Sequence, residues 1–356
     1  MSEPVSGPVG EDVLTCIEGR VGRIRLNRPK AIHALTFAMC EAMIAALLSW
    51  RDDPAVDLVL IDHAAGRGFC AGGDVVALAK SGAVDGADAR AFFHSEYRLN
   101  HLLFTYGKPT VAMMDGITMG GGVGISQPCR HRIATERTVF AMPETSIGLF
   151  PDVGGGRYLS RLPGRIGHYV ALTGARLDGA NCFALGLATG FVPSEGIAAL
   201  KARIIEEPSA AARIIAAAKT TPPPAKILEL REDIDRLFVS DRYEHVLAAL
   251  EADGGEWAAE QREILTAKSP QACKVALREL AESRKLHDFA DEMRMEYRIA
   301  ARVVQRPDFA EGVRALLIDK DNGPRWDPPT PDAVSDTLID GIFAPLPTAE
   351  EWSPLA

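Results

Sequence analysis

Three glycine-rich turns, each following a run of residues with the character of a buried strand, constrain this chain more than any other feature. They are GFCAGGD (Gly68 to Asp74), DGITMGGGVGIS (Asp115 to Ser126) and PETSIGLFPDVGGG (Pro143 to Gly156). Glycine lets backbone approach backbone or ligand closely and adopts dihedral angles that other residues avoid. The third turn also sets two carboxylates, Glu144 and Asp152, in one stretch, and paired carboxylates near a loop suggest acid/base or nucleophilic work. Three such turns together suggest one assembled active site.

The elements around them alternate. Val13 to Ile17 and Val21 to Leu26 have the pattern of a hairpin, with Gly19 near the turn. Thr36 is placed to cap a helix running to Trp50, whose Met39, Met43, Ile44, Leu47 and Leu48 share one face. Val56 to Asp62 reads as a fully buried strand and Thr110 to Met114 as another buried strand, and His131 to Thr135 and Thr138 to Met142 supply two more. Helices are expected at Gly154 to Leu162 and Gly167 to Leu172. Strand, strand, helix is the repeating unit, so residues 1–192 are expected to form an α/β core. Residues 193–224 are expected to be a helix and a proline-rich linker, ending in Thr-Thr-Pro-Pro-Pro. Residues 225–356 are expected to be mostly helical, beginning with Ile227, Leu228, Leu230, Ile234, Leu237 and Phe238 at helical spacing.

A chain of 356 residues can bury a sizeable core. Its net charge of −9 argues against a general affinity for nucleic acid, while permitting a local basic patch for an anionic ligand. The 6 cysteines include no CxxC pair, which favours neither a zinc site nor a disulfide scaffold and fits a reducing compartment. The amino-terminal MSEPVSGPVGEDV has neither the apolar core of a secretory signal nor the arginine-rich pattern of a transit peptide, and no run approaches a membrane span. A soluble, cytoplasmic protein is expected.

The residues leave alternatives open at each turn. Gly120, Gly121 and Gly122 could offer backbone N–H groups to an oxyanion or simply form a tight strand-to-helix turn. Gly72 and Gly73 could do the same, with Asp74 capping the next helix. Two such turns could each give one N–H to a shared carbonyl. Glu144 could be a solvated acid at the start of an element, and Asp152 a helix cap; the intervening Ile147, Leu149 and Phe150 favour burial and hence perturbed carboxylates. Cys70 with His63 could be a nucleophile and base or, more simply, a small buried thiol. No GxGxxG, GxxxxGK, GxSxG or HExxH pattern occurs, which removes the main support for dinucleotide, P-loop, serine hydrolase and zinc hydrolase readings.

At these turns the chain resembles the crotonase (enoyl-CoA hydratase/isomerase) superfamily, and particularly its 3-hydroxyisobutyryl-CoA hydrolase branch. The resemblance begins at RLNRPKAIHAL (Arg25 to Leu35), runs through all three turns and resumes at KSPQACKVALREL (Lys268 to Leu280), MEYRIA (Met295 to Ala300) and DFAEGVRALLIDKD (Asp308 to Asp321). It implies a core of repeated ββα units and an acyl-CoA substrate, with coenzyme A as part of the substrate rather than a cofactor and no metal. The thioester oxygen would meet the N–H groups of Gly73 and Gly121. The backbone near Ala71 would face the adenine, and Lys30 and Lys320 would serve the CoA phosphates. Hydratases of the superfamily carry glutamates at the positions of Gly124 and Glu144; here only Glu144 is present, and Asp152 matches the hydrolase branch. The resemblance therefore implies thioester hydrolysis by Glu144 and Asp152 on a short β-hydroxyacyl-CoA. The alternatives are an enoyl-CoA hydratase or isomerase and a non-catalytic acyl-CoA-binding protein. One departure is His33, where the superfamily usually has asparagine; it is read as a tolerated loop residue. The superfamily's usual trimers make a homo-oligomer a candidate assembly.

Overall fold

The computed structural model describes residues 12–355. The reading of the amino-terminal segment therefore falls almost wholly outside the described residues. The hairpin pairs β1 (Val13–Glu18) antiparallel with β2 (Val21–Leu26), and Gly19 takes φ +61° in the turn. The strands that follow are β3 (Leu58–His63), β4 (Gly68–Cys70), β5 (Thr110–Met114), β6 (Ile117–Met119), β7 (His131–Ala134), β8 (Val139–Ala141), β9 (Leu177–Asp178) and β10 (Gly190–Phe191).

They form a six-stranded sheet in the order β1-β2-β3-β5-β7-β10 and a four-stranded sheet in the order β4-β6-β8-β9. The three pairs β3/β4, β5/β6 and β7/β8 thus each send their first strand to the large sheet and their second to the small one. In the large sheet every pair except β1 with β2 is parallel. A parallel sheet covered on both faces needs strands that are apolar at every position. Accordingly Val59, Ile61 and Ala112 face the main core, while Leu58, Leu60, Val111 and Met113 face a second cluster on the other side.

That second cluster explains residues 193–224. The helices Ile197–Glu206 and Ala211–Ala218 lay Ile197, Leu200, Ile204, Ile214 and Ile215 across the outer face of the sheet. The division of the chain at 192 and 224 is a proposal about sequence, since the three parts share their packing. The helix Phe289–Val303 lies on the helix Ala87–Phe104, with Phe289 stacked on Phe104 at 4.2 Å between ring centroids. The helix Pro270–Ser283 packs on the short helices Gly155–Ser160 and Ile166–Thr173. The helix Pro307–Val313 packs on the helix Val75–Gly82 and on the Glu144–Ile147 turn.

The helix Phe37–Arg51 begins as expected, with the Thr36 side chain accepting from the Met39 N–H at 3.2 Å. Met39, Met43, Ile44 and Leu47 are buried on its inner face. Among the described residues no helix is long and apolar enough to cross a membrane.

Candidate active site

The strands β4, β6 and β8 are parallel neighbours, so their carboxy-terminal ends lie side by side, about 4.8 Å apart. Each end leads into one of the three glycine turns. A crevice beyond the carboxyl ends of parallel strands is where ligands bind in open α/β sheets. Here it holds a cavity of about 380 Å³ lined by Gly73, Gly121, Glu144, Asp152 and, from the helix Ala87–Phe104, Glu96.

The turns touch. A Cβ on Gly72 would sit 3.8 Å from the Gly121 nitrogen, and one on Gly120 would sit 3.0 Å from Glu144 Oε1. Gly72 at φ +116° and Gly120 at φ +46° adopt backbone that a side chain disfavours. Gly121 opens the helix Gly121–Ser126, where the first amides have no intrahelical acceptor. Gly73 and Gly121 thus both line the cavity, with the Glu144 carboxylate beside Gly120.

Glu144 is 5% exposed and Asp152 4%, so neither is the solvated surface acid that local sequence allowed. Burial raises the pKa of Glu144 well above the ordinary carboxylate range, and the charge of Asp152 raises it further. Asp152 is pushed up to about 7 by burial, against a hydrogen bond from the Tyr97 hydroxyl at 2.8 Å that favours its charged form. Asp152 is not a helix cap: its carboxylate goes to Tyr97, and the helix Gly155–Ser160 has no side-chain cap.

Glu96 completes a group of three buried carboxylates that sequence reasoning did not find. It is 2% exposed, and burial, Asp152 and Glu144 all raise its pKa. A Cβ on Gly121 would lie 2.4 Å from Glu96 Oε1, so glycine there admits the carboxylate to the cavity wall. The available signal was polar residues on an apolar helix face: Glu96 and Asn100 share burial with Phe92, Phe93, Leu99 and Leu103. Two cations were also missed. Arg176 lines the cavity, as does Lys268, whose ammonium donates to Ser146 Oγ at 2.7 Å and whose pKa is lowered by burial.

Ala71 lines the cavity, whereas Lys30 and Lys320 are exposed and lie outside its lining. Lys30 stands on the turn Pro29–Ala31, and Lys320 follows the cavity-lining Leu316 and Leu317. His33 is more than a tolerated loop residue. Fully buried, it accepts from the Arg28 N–H at 2.9 Å through Nδ1, while Nε2 lies 2.8 Å from the Ala65 carbonyl, so the neutral ring ties two loops together. Cys70 is the buried thiol: its Sγ donates to the His33 carbonyl and burial pushes its pKa up to about 12. Asp74 caps the helix Val75–Gly82 by accepting from the Ala77 N–H.

Gly124, the position of the second glutamate in the hydratases, has no space for one. A Cβ there would lie 2.6 Å from Val153 Cβ and 2.7 Å from Asn100 Nδ2. Among the described residues no group of three or more His, Cys, Asp or Glu side chains could hold a metal ion.

Curated relatives and a solved structure match this architecture. The 3-hydroxyisobutyryl-CoA hydrolase, mitochondrial, of Gallus gallus is 43% identical, covering 94% of this chain and 89% of that protein. Its namesake in Danio rerio is 41% identical, covering 96% and 92%. A crystal structure described as a carnitinyl-CoA dehydratase from Mycobacterium thermoresistibile superposes with a TM-score of 0.92 at 40% identity, covering 97% of this chain and 99% of that one. The family model for enoyl-CoA hydratase/isomerase matches residues 21–343, and the chain belongs to that family.

Proposed function

We propose that this protein hydrolyses 3-hydroxyisobutyryl-CoA, or a closely similar short β-hydroxyacyl-CoA, to the free acid and coenzyme A. The observation that carries this reading is one carboxylate, Glu144, set beside two glycine turns, with its companion at Asp152 and closed packing at Gly124. Hydration of a double bond requires water activation and proton delivery at adjacent carbons, for which the family's hydratases use a pair of glutamates. The curated relatives' hydrolase names support the same choice.

In this reading the Gly73 and Gly121 N–H groups take the thioester oxygen and stabilise the charge that develops on it. Losing one such donor costs about 10²- to 10³-fold in rate. Glu144 then either attacks the carbonyl carbon, expelling the CoA thiolate and leaving a mixed anhydride that water opens, or removes a proton from an attacking water. Asp152 accepts a hydrogen bond from the substrate 3-hydroxyl and selects for it. Ala71 faces the adenine, and Lys30 and Lys320 serve the phosphates from outside the cavity. Coenzyme A enters as part of the substrate, and the enzyme needs no other cofactor. Oxidation of valine-derived carbon is the setting that the substrate's branched chain suggests.

A cytoplasmic location and a homo-oligomer belong to the same proposal. Free cysteines, five of the six buried, support a reducing compartment. The named vertebrate relatives are mitochondrial.

The test is to follow free thiol on incubation with 3-hydroxyisobutyryl-CoA, with Glu144→Gln and a crotonyl-CoA hydration assay alongside. Thiol release that depends on Glu144 is expected. Intact thioester with hydration of crotonyl-CoA would move the assignment to a hydratase, the activity class suggested by the name of the solved relative. Tight acyl-CoA binding with no turnover would make it a binding protein.

A further inference from the structure

The last three glycines of the third turn, Gly154 to Gly156, take no part in the chemistry above, yet they are one place where the carboxy-terminal region meets the site. Asp152 is followed by Val153 at φ +57° and Gly154 at φ +87°. A β-branched residue in the left-handed region is an outlier that persists only where its surroundings impose it. Val153 is fully buried against Gly124, and the next N–H is held: Gly154 donates to Oε2 of Glu296 at 2.8 Å. Glu296 is fully buried on the helix Phe289–Val303, and its other oxygen, Oε1, has no hydrogen-bond partner.

The neighbouring glycines make room for this contact. A Cβ on Gly154 would lie 2.9 Å from Phe289 Cε2, and one on Gly156 would lie 2.7 Å from Glu292 Oε1 and 2.9 Å from Glu279 Cγ. The run Gly154 to Gly156 is thus a seat for two helices more than a hundred residues downstream, and the Glu296 carboxylate takes the Gly154 N–H and also interacts with the Gly156 backbone. We propose that Glu296 is a positioning residue for Asp152: by holding the Gly154 N–H it fixes the left-handed turn that aims the Asp152 carboxylate at Tyr97 and the cavity. The carboxy-terminal region then sets substrate selection from outside the cavity. This rests on the role given above to Asp152.

The test compares kcat/KM for 3-hydroxyisobutyryl-CoA with that for isobutyryl-CoA, which lacks the hydroxyl. A merely structural role lowers both alike; mispositioning of Asp152 lowers their ratio. Glu296→Met, which removes the acceptor, and Glu296→Asp, which shortens its reach, are each expected to lower the ratio about tenfold. Glu296→Gln retains an acceptor and is expected to restore it to within about threefold of wild type. Glu296→Asp decides the matter if Glu296→Met does not fold. An unchanged ratio in the folded variants, or a Gln variant as impaired as Met, overturns the proposal. Asp152→Ala, which removes the acceptor, run in parallel separates the two readings: if it too leaves the ratio unchanged, the role of Asp152 is wrong, whereas a collapsed ratio there with normal Glu296 variants removes Glu296 alone.

Discussion

The Tyr97 hydroxyl donates to Oδ2 of Asp152 at 2.8 Å, joining the helix Ala87–Phe104 to the turn that carries the second carboxylate. Both groups are buried, and the bond opposes the larger effect of burial on Asp152. Tyr97→Phe removes a bond that favours the charged form, so the pKa of Asp152 rises further. A hydrogen bond to a charged group is worth about 1.5–3 kcal/mol, or roughly one to two pH units. The acid limb of the kcat/KM profile is expected to move to higher pH by about one unit. An unmoved limb would mean that Asp152 does not control it.

Asp152→Asn acts in the opposite direction on Glu144. The negative charge of Asp152 raises the pKa of Glu144, after burial. Its removal lowers that pKa, and the acid limb of the residual activity is expected to shift to lower pH. The pH profile of thiol release measures it, and a shift to higher pH would contradict the coupling.

Stability is expected to follow the same groups. The folded-state pKa of Asp152, about 7, lies above the ordinary 3.8, so the native state holds its proton more tightly than the unfolded chain does. The contribution is most favourable below about pH 4 and is lost as pH rises toward 7. Asp152→Asn is therefore expected to raise Tm at pH 8 and to leave it little changed at pH 4. Thermal melts at the two pH values check this, and equal shifts at both would refute it.

Glu144→Gln keeps the shape of the side chain and removes its basicity and nucleophilicity. A fall in kcat of about 10²- to 10⁴-fold is expected, with KM less affected. Full activity in this variant would assign the chemistry elsewhere in the cavity.

Gly124→Glu tests the hydratase alternative by restoring that family's second glutamate. The Cβ alone would stand 2.6 Å from Val153 Cβ. Overpacking of this kind costs about 1–3 kcal/mol, so the variant is expected to melt at lower temperature without gaining crotonyl-CoA hydration. Acquired hydratase activity would show that the site can reopen there.

Local residue patterns specify the elements and the turns of this protein. Short apolar runs such as Leu58 to Ile61 read as strands buried on both faces, and Thr36 marks a helix start wherever it lies in space. Glycines at Gly72 and Gly120 pointed to backbone that a side chain disfavours. Glu144 and Asp152 were legible because both sit in one such turn. Which strands share a sheet emerged with the fold, since strand pairing is set by packing between distant segments rather than by local preference. That placed β4, β6 and β8 side by side and brought their turns into contact. Glu96, Lys268 and Glu296 were illegible for the same reason: Glu96 and Glu296 come from helices, and Lys268 from the bend between two helices, whose own patterns look ordinary. What makes a buried carboxylate functional is the set of groups around it, and those groups are separated along the chain by more than a hundred residues between Glu296 and Gly154.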